Sequence, residues 1–167
     1  VREQLFWFDI LNMTLHSQEQ SWGFSGYVSA AGWVDRDVLV LASEAGLVRF
    51  DLATGTEELV ASAGTSATRS NDGRADRQGG FWFGTMGKKA EKGLGSIWRW
   101  HRGELRQLVK GINIPNSICF TPDGTAAHFS DTTQGKVMKV ALDAQGWPQG
   151  EAEVWLWEGY SRIPAYR

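Results

Sequence analysis

The chain has 167 residues, 42% of them hydrophobic, enough for one domain over residues 1–167 with its own core. A formal net charge of -2 without any basic block argues against nucleic acid or an acidic membrane surface as a partner. No run approaches the roughly 18 apolar residues of a membrane span, no signal peptide is visible, and the single cysteine excludes an internal disulfide, so a reducing, cytoplasmic compartment is expected.

The chain begins at Val1 in mid-pattern with no initiator Met, and the native N-terminus is expected to lie upstream. Phe6-Trp7-Phe8 reads as the first strand. Residues 28–33 form an apolar inner strand, Asp35-Arg36-Asp37 a turn, and Val38-Leu39-Val40-Leu41 a second strand rich in β-branched residues. A glycine leads the third strand, Gly46-Leu47-Val48-Arg49-Phe50, and a polar hairpin carries the chain into a fourth over residues 55–60. The polar stretch 68–76 reads as a loop, because Asn71-Asp72-Gly73 is a common turn signal. Phe81-Trp82-Phe83, the glycine-led strand 95–100 and the strand 103–109 then repeat the earlier order. A loop over 111–117 leads into the inner strand 116–120. The Asp123-Gly124 turn, Ala127-His128-Phe129, the glycine-led strand 135–140 and a fourth strand over 150–155 follow.

The glycine-led strands start at 46, 95 and 135, with a poorer copy at Gly159, so the intervals are 49, 40 and 24 residues. Four short strands repeating at about 40 to 50 residues, with no sustained helical period, predict an all-β fold. The architecture expected is a β-propeller of four-stranded antiparallel blades, preferred over a sandwich with accidental self-similarity. Between Leu156 and Gly159 there is no room for an inner strand and its loop. The propeller is therefore expected to be incomplete, at about four blades, and its open strand edges favour self-association.

In a propeller the loops leading into the inner strands converge on one face. The two polar segments 68–76 and 111–117 carry the site candidates, because amide oxygens from adjacent blades could converge on a hard cation there. Cys119, in the apolar run Ile118-Cys119-Phe120, reads as a buried inert thiol rather than a nucleophile. His16, His101 and His128 lack metal-ligand spacing and are given structural or solvent roles. Asp9 and Asp131 close equivalent strands and read as turn residues. Trp7, Trp33, Trp82 and Trp98 read as packing between blades. No serine lies in a Gly-x-Ser-x-Gly elbow.

Several long motifs carry a resemblance. Arg69-Ser70-Asn71-Asp72-Gly73, then Gly80-Phe81-Trp82-Phe83-Gly84-Thr85-Met86, then Ile114-Pro115-Asn116-Ser117-Ile118-Cys119-Phe120-Thr121-Pro122-Asp123-Gly124 occur in order, with Leu5-Phe6-Trp7-Phe8-Asp9-Ile10 ahead of them. Over roughly residues 1–156 the chain resembles the SMP-30/gluconolactonase/regucalcin family. The resemblance implies a six-bladed propeller that hydrolyses a sugar lactone with one divalent metal ion (Ca, Zn, Mn, Mg or Fe) in its channel. It implies that Arg69 and Asn71 bind the substrate and that Asn116 is a metal ligand. Such a cation would polarise the lactone carbonyl and stabilise the oxyanion.

The departures from the family pattern are as specific. The family's metal-binding Glu falls ahead of Val1, and its later Asp, ligand and base, belongs to the loop missing after Leu156. No catalytic base is therefore assigned in this chain. Asp72 is the one nearby acidic reserve, and Lys88 and Lys89 occupy the stretch where some members carry a substrate-contacting acid. A site left with neutral amides binds a divalent ion weakly. The chain alone is expected to have little or no activity. The competing expectation is a non-catalytic propeller that binds calcium or a small ligand, or serves as an interaction module.

Overall fold

Short apolar runs cut by glycine and acidic turns fold here into consecutive antiparallel sheets, each strand pairing with its sequence neighbour. The computed structural model describes residues 4–157. The first sheet holds β1 (Phe6–Asp9), β2 (Thr14–Ser17) and β3 (Ser21–Gly23). The second holds β4 (Val28–Trp33), β5 (Val38–Ser43), β6 (Gly46–Asp51) and β7 (Glu57–Ser62). The third holds β8 (Thr68–Ala75), β9 (Phe81–Gly87), β10 (Gly95–His101) and β11 (Glu104–Ile112). The fourth holds β12 (Pro115–Phe120), β13 (Ala126–Asp131), β14 (Lys136–Ala141) and β15 (Glu153–Trp157). A 3-10 turn, Thr132–Gln134, follows β13. The described residues thus form an incomplete propeller of one three-stranded and three four-stranded blades. The expected shortening after Leu156 falls at a tail that lies outside the described residues.

Strand alternation divides each blade's side chains between its two neighbours. Leu39 and Leu41 of β5 join Leu15 and Phe50 in the core between the first two blades. Val40 and Ala42 of the same strand meet Phe81 and Phe83 of β9 in the next core. Trp82, between those two phenylalanines in sequence, points the other way and packs with Ile118, Ala127 and Phe129 of the last blade. Among the described residues there are therefore three cores, one at each blade boundary.

The inner strands β4, β8 and β12 share a one-residue excess against their partners. Val28 pairs with Ser43 and Ala30 with Ala42, so Ser29 is extra. Ser70 pairs with Thr85 and Gly73 with Phe83, so Asn71 and Asp72 together face Gly84. Asn116 pairs with Ser130 and Cys119 with His128, so Ser117 and Ile118 face Phe129. Each excess is a β-bulge, which bends the strand and re-aims its side chains. Two glycines make room where the bulged strands pass the next blade. A Cβ on Gly73 would stand 2.9 Å from that of Ala30, and one on Gly84 would stand 2.5 Å from Pro115.

Three expectations are corrected by this geometry. Residues 68–75 are strand β8 rather than a loop, because the Asn-Asp-Gly turn signal is absorbed into the bulge. Cys119 is exposed, not buried: the bulge at Ser117 and Ile118 shifts the alternation, so Ile118 enters the core and Cys119 turns outward. Trp7 does not pack between described blades. It is 46% exposed and stacks on His16 of its own sheet, with ring centroids 5.3 Å apart.

At the end of the sheets remote from the leading loops, Asp76 and Arg99 form an ion pair whose side chains are fully buried, Nε to Oδ2 2.6 Å. Asp76 also accepts from the Gly80 and Gln78 amides at 2.7 and 3.0 Å and from the Trp82 indole at 3.1 Å. Arg99 donates to the Gln145 carbonyl of the last blade at 2.8 Å, and the Arg99 and Arg106 guanidinium groups each lie over the Trp147 ring, 4.2 and 4.1 Å from its centroid. A buried charge stripped of its partner is strongly destabilising, whereas an exposed pair contributes little. Arg99→Ala is expected to cost about 3–5 kcal/mol, read as a lowered urea midpoint. Glu104→Gln, at the exposed pair with Arg106, should leave the midpoint essentially unmoved.

Candidate functional site

The side chains singled out in the sequence sit at the leading-loop end of the inner strands β8 and β12. Arg69 is half-buried, and its Nη1 donates to the Ser70 carbonyl at 2.9 Å and to Asn71 Oδ1 at 3.2 Å. Its guanidinium lies 5.9 Å from the centroid of the Tyr27 ring in the preceding blade. Burial pushes the Arg69 guanidinium down from its ordinary value, and Tyr27 acts against that shift. Among the described residues no carboxylate pairs with it, so it presents an unspent positive charge.

Asn71 reaches across the blade boundary, its Nδ2 donating to the Pro115 carbonyl at 3.0 Å. Asp72, next along the bulge, accepts the Ile118 amide on Oδ2 at 2.9 Å. Asn116 lies between those two anchor points. Its Nδ2 makes a long contact to Thr132 Oγ1, 3.3 Å, and its carbonyl accepts from Ser130 Oγ at 3.1 Å. Asp72, Arg74, Asn116, Ser117 and Cys119 line an open cavity of about 380 Å³. Arg69, Asn71 and Asn116 are thus linked through one short chain of contacts.

Residues outside the sequence motifs complete the surroundings. Lys88 makes an ion pair with Glu44, and Glu44 also accepts the Tyr27 amide at 3.3 Å. Glu44 was missed because its partners lie far along the chain; its one sequence signal is a carboxylate in the hairpin just ahead of a glycine-led strand. A larger hollow of about 460 Å³, bordered by Ser25, Ser43, Glu44 and Thr65, is lined by none of Arg69, Asn71 and Asn116.

The loop ahead of Asn116 is held from below by Asp131. Its carboxylate accepts from the Asn113 amide and side chain, each at 3.0 Å, from the Ile114 amide at 3.3 Å, and from Thr133 and Gln134. Burial works against the charge of Asp131, but hydrogen bonds led by the Asn113 amide and the Thr133 hydroxyl outweigh it and hold the carboxyl below its ordinary value. Asp9 serves a turn of the same kind, accepting from the Asn12 amide and side chain at 3.0 and 2.8 Å. Asp123, at the opposite end of the blade, is held down to about 2 by Thr121 and Thr125.

Among the described residues no three His, Cys, Asp or Glu side chains come together. The candidate ligand singled out by the sequence is the amide of Asn116, with Asp72 the acidic group on the same cavity wall, and two such groups do not fit a complete shell for a divalent ion. None of their helices is long and apolar enough to cross a membrane.

Consecutive antiparallel sheets of this kind define an incomplete propeller, with a cluster of polar side chains where its inner strands begin. The family described as "SMP-30/Gluconolactonase/LRE-like region" matches residues 1–158, and the chain belongs to it. A protein of Rhizobium meliloti (strain 1021) whose name proposes a sugar lactone lactonase is 35% identical over 156 residues, 87% of this chain and 52% of that one. The 6-deoxy-6-sulfogluconolactonase of Pseudomonas putida is 30% identical over 158 residues, 89% of this chain and 54% of that one. The crystal structure of a calcium-binding protein, regucalcin, from Agrobacterium tumefaciens superposes with a TM-score of 0.86 at 41% identity, covering 90% of this chain and 54% of that one. The chain spans about half the length of the relatives it matches.

Because the folded value of Asp131 lies below the unfolded one, its stabilisation is present above about pH 4 and is lost as the pH falls through the lowered value. Asp131→Asn should flatten this acid limb and cost about 1–3 kcal/mol near neutrality. Chemical denaturation between about pH 7 and pH 3 measures both.

Proposed function

We propose that the full-length protein hydrolyses a sugar lactone, with Arg69 and Asn71 binding the sugar and Asn116 facing the reacting end. The observation that carries this reading is the contact chain from Arg69 through Asn71 to the backbone beside Asn116. Membership of a family whose relatives are named as lactonases supports it. A half-buried guanidinium without a carboxylate partner suits oxygen-rich substrates, since its remaining N–H groups make charge-assisted hydrogen bonds. Fixing the ring through Arg69 and the Asn71 amide would hold the ester carbonyl in one orientation, and misplacement by about 1 Å costs on the order of 100-fold. A divalent cation is part of the proposal. Asn116 is the ligand this chain offers it, and the acidic ligands would come from outside residues 4–157.

The regucalcin relative, a calcium-binding protein by its name, favours a second reading: a propeller that binds calcium or a small ligand without turnover.

Assay of the full-length protein on gluconolactone, arabinonolactone and xylonolactone, with chelator and with added Ca²⁺, Zn²⁺ or Mn²⁺, tests both. Metal-dependent hydrolysis is expected, and Arg69→Ala should lower kcat/KM by about 10–100-fold. Absence of turnover on every lactone would overturn the first reading, and calorimetric calcium binding in that case supports the second. The 167-residue chain assayed alone is expected to be far slower than the full-length protein.

A further inference from the structure

Asn116 is weakly held by its own side chain: the one hydrogen bond that side chain makes among the described residues is the 3.3 Å approach to Thr132 Oγ1. Its direction is therefore set by the backbone that carries it, and that backbone is unusual. Ser117 has a φ of 57°, the left-handed region that non-glycine residues rarely adopt. Ser117 and Ile118 face a single residue of β13, so the Ile118 amide falls in the irregular stretch of the ladder. Unpaired, such an amide would favour relaxation of the bulge.

The partner that amide finds is not in its own blade. It donates to Asp72 Oδ2 of β8 at 2.9 Å, across the blade boundary. Asp72 can reach because it stands in the matching bulge of its own strand, where Asn71 and Asp72 together face Gly84. Asn71 meanwhile takes the Pro115 carbonyl at 3.0 Å. Two consecutive side chains from one bulge thus grip the backbone on either side of Asn116. One holds the carbonyl just before it, the other the amide two residues after it.

We propose that Asp72 is a positioning residue: its carboxylate holds the Ser117–Ile118 bulge and so aims the Asn116 amide into the channel. It does this as a hydrogen-bond acceptor, not as a charge or a metal ligand. The inference rests on the lactone reading only for its kinetic consequence; the bulge geometry stands apart from it. An asparagine at position 72 still offers an acceptor oxygen to Ile118, whereas an alanine does not. The two substitutions separate an acceptor role from a charge role.

The experiment uses the full-length protein labelled with ¹⁵N, comparing wild type, Asp72→Ala and Asp72→Asn by amide exchange at Ile118 and by kcat/KM on gluconolactone. Asp72→Ala is expected to speed Ile118 exchange by about 10-fold or more, and to lower kcat/KM by about 10–100-fold, as loss of an outer-shell support does. Asp72→Asn should return both to within about 3-fold of wild type. If Asp72→Ala does not fold, Asp72→Leu, which keeps the branched shape without the acceptor, replaces it. Unchanged Ile118 exchange in the alanine or leucine variant overturns the proposal. So does an asparagine variant as impaired as the alanine one, since the charge itself would then be in use. Should the wild type hydrolyse no lactone, the functional reading fails while the exchange measurement still decides the role of Asp72.

Discussion

Neighbouring inner strands run so close together that side chains of one can bond the backbone of the next, and this closeness rests on missing atoms. Gly73 lies against Ala30 and Gly84 against Pro115, at separations a Cβ could not occupy without displacing the neighbour. Only at this spacing do the short side chains of Asn71 and Asp72 span the boundary to Pro115 and Ile118. The same closeness seals the aromatic core beneath, where Trp82 packs edge-on to Phe120 at 5.5 Å. The arrangement of polar groups at the start of the inner strands is therefore a consequence of backbone packing.

The two ends of the blades are stabilised by different physics. Far from the leading loops, the Asp76–Arg99 pair is buried, saturated by amides on the carboxylate side and flanked by Trp147. It fastens the third and fourth blades together where nothing needs to enter. At the other end the polar groups are half-buried, Arg69 has no carboxylate partner among the described residues, and the cavity is open. The half-buried Arg69 guanidinium there is held by neutral acceptors, the Ser70 carbonyl and the Asn71 amide oxygen, rather than by a carboxylate.

Much of the fold was legible because apolar strands between turn residues announce themselves. Residues 28–33 match β4, and the glycine-led strands at 46 and 95 match β6 and β10. β8 was not legible: Arg69, Ser70, Asn71, Asp72 and Gly73 are turn-formers by composition, and only pairing with β9 makes them a strand. The outward turn of Cys119 depends on a single extra residue in β12, which periodicity cannot register. The motif that raised Arg69, Asn71 and Asn116 gave their neighbourhood. It did not give the ion pair of Glu44 with Lys88, or the bond from Ile118 to Asp72, since those join residues 44 and 46 positions apart.

The outward turn of Cys119 has a practical consequence. It is the sole thiol of the chain, and it opens onto the same cavity wall as Asn116. A maleimide fluorophore or nitroxide coupled to native protein would therefore sit as a reporter on the wall of that cavity without any engineered mutation. Its signal would follow occupancy at a distance of a few residues, and crowding by a bound ligand would slow its attachment.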